Sequence, residues 1–213
     1  MDFDLITTSL KKGWEAFTGN IIAFIVGLLI AVIGSIFIVT IAPLWYGFYY
    51  LAVKASRGEK LEIKDILYGF SSLGTFIRAW IYFIVVIILA VVVSVIGLLI
   101  TMLLTFIHAS LALVGTLISS ILSIILSLTL FYSLYIYIMT PSQNVIHALK
   151  EGFGVFKENI LMTIVAYIVY TILTIIGLFL LGIGIFITLP IATVFVVSVL
   201  KGLRPALHDE SGM

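Results

Sequence analysis

The sequence predicts an all-α integral membrane protein, a bundle of transmembrane helices with almost no soluble part. Hydrophobic residues make up 63% of the 213 residues and charged residues only 10%, whereas an ordinary soluble domain is about a quarter charged. A soluble fold of this length could not hide so much apolar surface from water. We therefore expect residues 1–213 to form a single domain within the lipid bilayer.

The charged residues divide the chain into alternating charged and uncharged parts. Every Asp, Glu, Lys and Arg lies in one of four stretches, residues 1–20, 54–78, 150–159 and 201–213. Crossing the hydrocarbon takes about 20 apolar residues in a helix. Each uncharged block between these stretches can therefore form a helical hairpin, although the first block would have short arms. The expected turns lie at Gly34-Ser35, at His108, and at Gly182 and Gly184.

The position of the cationic residues indicates the topology. With three hairpins the chain crosses six times, and all 11 Lys and Arg residues lie on the cytoplasmic side, as the positive-inside rule favours. If the first block crosses only once, the chain crosses five times and its N-terminal tail lies outside. We favour six crossings in the cell membrane with both termini cytoplasmic, and five is the alternative.

An internal repeat supports the hairpin interpretation. The pattern Gly-aromatic-x-x-Phe-x-x-Asn, an apolar block, Pro, and then Lys-x-x-Arg occurs twice, and eleven residues separate Pro from Lys both times. A weaker echo, Leu73-x-x-Phe76, precedes the middle block. We interpret residues 4–58, 62–139 and 142–204 as parallel repeat units. The positions that carry the pattern are Trp14, Phe17, Asn20, Pro43, Lys54 and Arg57, and then Phe153, Phe156, Asn159, Pro190, Lys201 and Arg204.

Each unit is expected to begin with a short amphipathic helix at the cytoplasmic interface. In the third unit, Thr140 is predicted as the N-cap, Pro141 as the first helical residue and Gln143 as the partner in a capping box. Tyrosines near the cytoplasmic ends of the long helices are predicted to form an interfacial aromatic belt; they include Tyr46, Tyr49, Tyr132, Tyr135 and Tyr137.

The sequence contains no pattern that indicates catalysis, a metal site or a cofactor. Ionisable groups inside a membrane usually mark function, and here the uncharged blocks contain only His108 besides tyrosines. Serines and threonines at three- and four-residue spacing after Thr116 are typical of helix packing, with a polar path as the alternative. Pro43 and Pro190 are expected to shape their helices, and a binding site there is the second interpretation. The sequence shows no basic face of the kind that nucleic-acid-binding proteins carry.

At these residues the chain resembles a group of small polytopic membrane proteins from archaea and bacteria. That group looks related to the membrane domain of some bacterial glycerophosphodiester phosphodiesterases. The resemblance rests on the Trp14–Asn20 and Phe153–Asn159 motifs, on Pro43 and Pro190, and on the segment from Lys54 to Phe70. It implies a six-helix membrane protein and carries over no catalytic residue, because the phosphodiesterase part is missing.

Three functional hypotheses follow. The first is a non-enzymatic scaffold, helper subunit or lipid-interacting module, with the bilayer, and as an alternative another membrane protein, as partner. The second is a passive transporter or channel for a small neutral or apolar solute. The third is an interfacial lipid-modifying enzyme that uses Glu59, Asp65, His147 or Glu151. The sequence leaves the oligomeric state open.

Overall fold

The computed structural model describes residues 3–180 and 182–205, and these residues form helices joined by short turns. The first three helices are α1 (Phe3–Gly19), α2 (Ile21–Gly34) and α3 (Ile38–Ala55). A 3₁₀ helix (Ile63–Phe70) precedes the long hairpin of α4 (Leu73–Ile107) and α5 (Ala112–Met139). The remaining helices are α6 (Val145–Glu158), α7 (Ile160–Phe179) and α8 (Ile185–Leu203). The all-α prediction is therefore confirmed for the described residues.

Among the described residues, five helical segments are long and apolar enough to cross a membrane. They are α3, α4, α5 with the turn before it (Ala109–Met139), α7 and α8. Helix α2 has 14 residues and is about 21 Å long at 1.5 Å per residue, which is short for a hydrocarbon core of about 30 Å. It passes the same test only together with α1, from which it is bent by 88°. The sixth crossing stays a prediction.

The three expected turns are confirmed. Helix α2 ends at Gly34, and α3 begins at Ile38. His108 ends α4, and its Nδ1 accepts a hydrogen bond from the backbone N–H of Ser110 at 3.3 Å. Gly182 has a φ of 75° between α7 and α8, in the left-handed region that glycine adopts without strain. Local turn chemistry therefore sets where each hairpin reverses.

Each short helix packs against a long helix of the neighbouring hairpin. Helix α1 lies on α8, the 3₁₀ helix lies on α3, and α6 lies on α5. Each of these close approaches requires a glycine, because a Cβ atom at that position would collide with a backbone carbonyl oxygen of the long helix. The pairs are Gly13 with Ile191, Gly69 with Pro43, and Gly152 with Thr129.

The centre of the bundle is built from the second helices of the hairpins. Helix α8 is buried without interruption from Thr188 to Lys201, and most of α3 from Ala42 to Ala55 is also buried. By contrast, most of α4 is exposed, and most of its exposed side chains are Ile, Val, Leu, Met and Phe. An apolar outer surface of this extent is typical of helices that face lipid.

The predicted start of the third amphipathic helix is wrong. Helix α6 begins at Val145, and its N-cap is Asn144, whose side chain accepts a hydrogen bond from the backbone N–H of His147 at 2.9 Å. Thr140 instead ends α5, and its hydroxyl donates to the carbonyl of Ile136 at 2.7 Å. The Thr-Pro-x-Gln pattern fits a cap, but α5 continues to Met139 and uses Thr140 at its own end.

Candidate functional site

A groove between α3, α4 and α5 has a volume of about 390 Å³. We call it the aromatic groove. Nearly all of its surface is contributed by aromatic and aliphatic side chains, with a few tyrosine hydroxyls among them. It is lined by Ile41, Ala42, Trp45, Tyr46, Tyr49, Ala79, Tyr82, Phe83 and Leu134.

The aromatic groove extends into a second cavity of about 280 Å³. The two share Tyr49, Tyr82 and Leu134, so these side chains form the boundary between them. The second cavity is also lined by Phe131 and Tyr170 of α5 and α7. The two cavities therefore lie side by side along α5.

Four tyrosines of α3 and α5 lie inside the bundle rather than in a surface belt. Tyr46, Tyr132, Tyr135 and Tyr137 are all buried, so the belt prediction is wrong for these four. Tyr46 and Tyr137 make an edge contact with ring centroids 6.2 Å apart. They are buried because the helix faces that carry them pack inside the bundle.

One hydroxyl at the groove is hydrogen-bonded inside the bundle. The hydroxyls of Tyr82 and Ser133 lie 2.7 Å apart in the buried contact between α4 and α5. Because buried polar groups cost free energy unless they are hydrogen-bonded, this pair fixes the two helices in register.

Arg78 is a functional candidate that the sequence reasoning did not single out. It lies near the start of α4, and its guanidinium donates to the carbonyls of Tyr137 and Gln143, both at 2.9 Å. Its Cζ also lies 4.0 Å from the centroid of the Tyr137 ring, a cation–π distance. Its position as the last charge before the second apolar block was the available signal.

The predicted cationic positions have different partners in the first and third units. Lys54 pairs with Asp65 of the 3₁₀ helix at 2.8 Å, and Arg57 lies 3.7 Å from Glu59. Arg204 lies 3.2 Å from Glu158 and 3.9 Å from Glu151. Lys201 is buried, and its Nζ has no hydrogen-bond partner among the described residues.

The aromatic residues of the repeat pattern make packing contacts on their short helices. Trp14 and Phe153 are exposed, whereas Phe17 is buried and Phe156 is partly buried. The rings of Trp14 and Phe17 lie 6.4 Å apart, and those of Phe153 and Phe156 lie 6.2 Å apart. Each aromatic pair therefore covers one side of its short helix.

Asn20 and Asn159 stand at the junctions of short and long helices. Each donates from its side-chain amide to a carbonyl four residues earlier, Ala16 at 3.0 Å and Val155 at 3.2 Å. Asn20 also accepts from the backbone N–H of Leu61 at 3.0 Å. These contacts satisfy backbone groups that a helix end leaves unpaired.

Pro43 and Pro190 are both buried within continuous helices, α3 and α8. The carbonyl of Pro43 contacts Gly69, and the carbonyl of Ile191, next to Pro190, contacts Gly13. The structure therefore places the two prolines at two separate helix contacts and does not bring them into one site.

The acidic groups considered for catalysis, Glu59, Asp65 and Glu151, are each paired with a cation. Asp65 is engaged by Lys54 and by the backbone N–H of Glu62, and Glu151 faces Arg204. Within residues 3–180 and 182–205, no group of three or more His, Asp or Glu side chains is arranged to hold a metal ion.

The hydroxyl series on α5 makes local and packing contacts. Ser120, Ser123 and Ser127 each donate to the carbonyl four residues earlier. Ser119 also donates across the hairpin to the carbonyl of Gly97 at 2.8 Å. These bonds agree with helix packing of the kind that small polar residues give in membranes.

Comparisons with protein-family models, with curated proteins and with solved structures found no match. The family resemblance of the sequence motifs therefore stays a prediction.

Proposed function

We propose that the chain is a non-enzymatic, lipid-interacting protein of the cell membrane that holds an apolar chain, such as a lipid acyl chain, in the aromatic groove. The observation that carries this proposal is the groove itself. It offers about 390 Å³, within the range of small-molecule sites, and its lining is mostly apolar and includes three tyrosines. Tyr and Trp are suited to such a place because their rings combine an apolar body with a polar tip.

The topology that fits this function has six crossings, with both termini in the cytoplasm. The three hairpin turns then lie on the outer side, and the charged stretches lie on the cytoplasmic side. The α2–α3 hairpin is the shallowest, because α2 has only 14 residues. The bilayer adapts to a short segment by local thinning at modest cost.

We also propose that the three units are repeats arranged as a ring. The short helices carry the pairs Gly13-Trp14, Gly69-Phe70 and Gly152-Phe153, and each glycine touches a long helix of a different unit. Helix α1 of the first unit packs on α8 of the last, which closes the ring. This alignment places the middle unit's motif at Gly69-Phe70 rather than at Leu73.

Retained lipid in the purified protein tests the groove. Substituting Leu134→Trp adds bulk to its partly exposed lining, and Leu98→Trp adds the same bulk at an exposed position of α4. Native mass spectrometry of the protein released from mild detergent counts the bound lipids. We expect Leu134→Trp to lose a bound lipid that the wild type and Leu98→Trp retain.

Two outcomes would contradict the proposal. Equal lipid retention in Leu134→Trp and Leu98→Trp would show that the groove is empty in the membrane. Solute flux into liposomes that Leu134→Trp blocks and Leu98→Trp leaves intact would instead assign the groove to the transport alternative.

A further inference from the structure

A small cationic cavity lies where α1 meets the C-terminal end of α8. Its volume is about 170 Å³, below the range of drug-sized ligand sites, so it suits a single small group. Its polar lining includes Ser9, Lys12, Ser56, Ser198 and Lys201. None of the described residues that line it is acidic.

Two of these side chains are buried without a partner among the described residues. Lys201 is 8% exposed and Ser198 is 5% exposed, and neither Nζ nor Oγ makes a hydrogen bond there. Lys201 lies in the last turn of α8, where the helix dipole favours a cation, but the dipole does not satisfy the three donors of an ammonium group. A buried charge without a partner is costly.

The surroundings add positive charge. Lys12 and Arg57 are close enough to repel the Lys201 ammonium group, and Glu59 is the acidic group that acts on it from nearby. Glu59 is itself paired with Arg57 at 3.7 Å. The cavity therefore combines two lysines with the unpaired hydroxyl of Ser198, which is the chemistry of an anion site.

The contact between the 3₁₀ helix and α3 shows how the equivalent lysine, Lys54, is paired. Gly69 packs on α3 as Gly13 packs on α8, and the residue four before each glycine is Asp65 in one case and Ser9 in the other. Asp65 binds Lys54 at 2.8 Å, and Lys54 stands eleven residues after Pro43 as Lys201 stands after Pro190. Serine thus replaces the carboxylate that would pair with Lys201.

A second cavity adjoins this one and indicates where the anion comes from. It has a volume of about 480 Å³ and shares Leu5 and Gly202 with the cationic cavity. It runs along the start of α7, where Ile160 and Leu161 are exposed. Glu158 also lines it, but this carboxylate is bound to Arg204 at 3.2 Å. An apolar surface beside a cationic cavity fits a lipid better than a free ion.

We propose that the cationic cavity binds the phosphate group of an anionic phospholipid, which takes the position against Lys201 that the Asp65 carboxylate takes against Lys54. The inference deepens the lipid-interacting function and rests on its membrane location, but it concerns a different site from the aromatic groove.

Serine-to-aspartate substitution gives the sharpest test, because Ser9→Asp supplies the missing carboxylate from the chain itself. The full-length protein in detergent is titrated with phosphatidylglycerol, phosphatidylcholine or inorganic phosphate, and its thermal unfolding is followed. We expect the wild type to bind phosphatidylglycerol about tenfold more tightly than phosphatidylcholine, because both lipids carry the phosphate but the choline ammonium is repelled by Lys12 and Lys201. Ser9→Asp should melt at a higher temperature without lipid and lose the preference.

Lys201→Gln gives the second variant, so the test does not depend on the folding of Ser9→Asp. It should also lose the preference, whereas Lys157→Gln, which removes an exposed lysine of α6, should keep it. A preference that persists in both Ser9→Asp and Lys201→Gln would overturn the proposal. Loss of the preference with retention of the groove lipid would leave the two sites independent, as proposed.

Two further measurements identify the source of the anion. Inorganic phosphate that displaces phosphatidylglycerol at equal concentration would assign the site to a free anion and overturn the lipid assignment. Asp209 and Glu210 lie outside the described residues, so a variant without residues 206–213 tests them as internal occupants. A lipid preference that appears only in this shortened variant would show that the tail fills the site and would overturn the proposal.

Discussion

Removing the charge of Asp65 should destabilise the fold far more than removing an exposed carboxylate. The Oδ2 atom of Asp65 lies 2.8 Å from Nζ of Lys54, and the two side chains are only 11% and 17% exposed. The same oxygen accepts the backbone N–H of Glu62 at 2.8 Å. Asp65→Asn keeps the shape of the side chain but leaves the Lys54 ammonium without a counter-ion.

Breaking a buried ion pair on one side costs about 3–5 kcal/mol. The residual exposure of this pair places Asp65→Asn at the lower end, about 3 kcal/mol. The matched control is Glu15→Gln, because Glu15 lies 3.8 Å from Lys11 with side chains 60% and 77% exposed. Such exposed pairs contribute about 0.5 kcal/mol or less.

The free energy of unfolding is measured in mixed micelles by titration with a denaturing detergent, with tryptophan fluorescence as the signal. We expect the free energy of unfolding to fall several times more in Asp65→Asn than in Glu15→Gln. Equal losses in the two variants would refute the reasoning that Lys54 and Asp65 join the 3₁₀ helix to α3.

The same titration tests two further contacts. Gly69→Ala should lower the free energy of unfolding by about 1–3 kcal/mol, because its Cβ would collide with the carbonyl of Pro43. The control, Gly19→Ala, has open space around it and should be neutral or slightly stabilising. A Gly69→Ala variant as stable as the wild type would argue against the close approach. Arg78→Lys should cost about 2 kcal/mol, because one ammonium cannot replace the planar contacts to Tyr137 and Gln143. An unchanged Arg78→Lys would mean that charge alone matters there.

Features with a local physical cause could be predicted from the sequence. The turns at Gly34, His108 and Gly182 follow from small or polar residues within apolar blocks, and backbone conformation at such residues depends little on distant parts of the chain. The helical class follows from the bilayer, which requires every backbone group to be satisfied within the segment.

Features that depend on tertiary neighbours could not be predicted in the same way. Thr140 is a plausible N-cap by itself, and only the continuation of α5 to Met139 gives it another role. The burial of Tyr135 and Tyr137 depends on which face of α5 meets its neighbours. The missing partner of Lys201 became visible only when α1 was found on α8.

The arrangement of the three hairpins in the membrane is tested most directly by cysteine accessibility. The chain contains no cysteine, so single cysteines at Thr7, Ser110 and Ser142, all exposed, report on one position each. A membrane-impermeant maleimide is applied to intact cells and to inverted vesicles. Six crossings predict that Ser110→Cys reacts in intact cells and that Thr7→Cys and Ser142→Cys react only in inverted vesicles. Labelling of Thr7→Cys and Ser142→Cys from opposite sides would contradict the three-hairpin account.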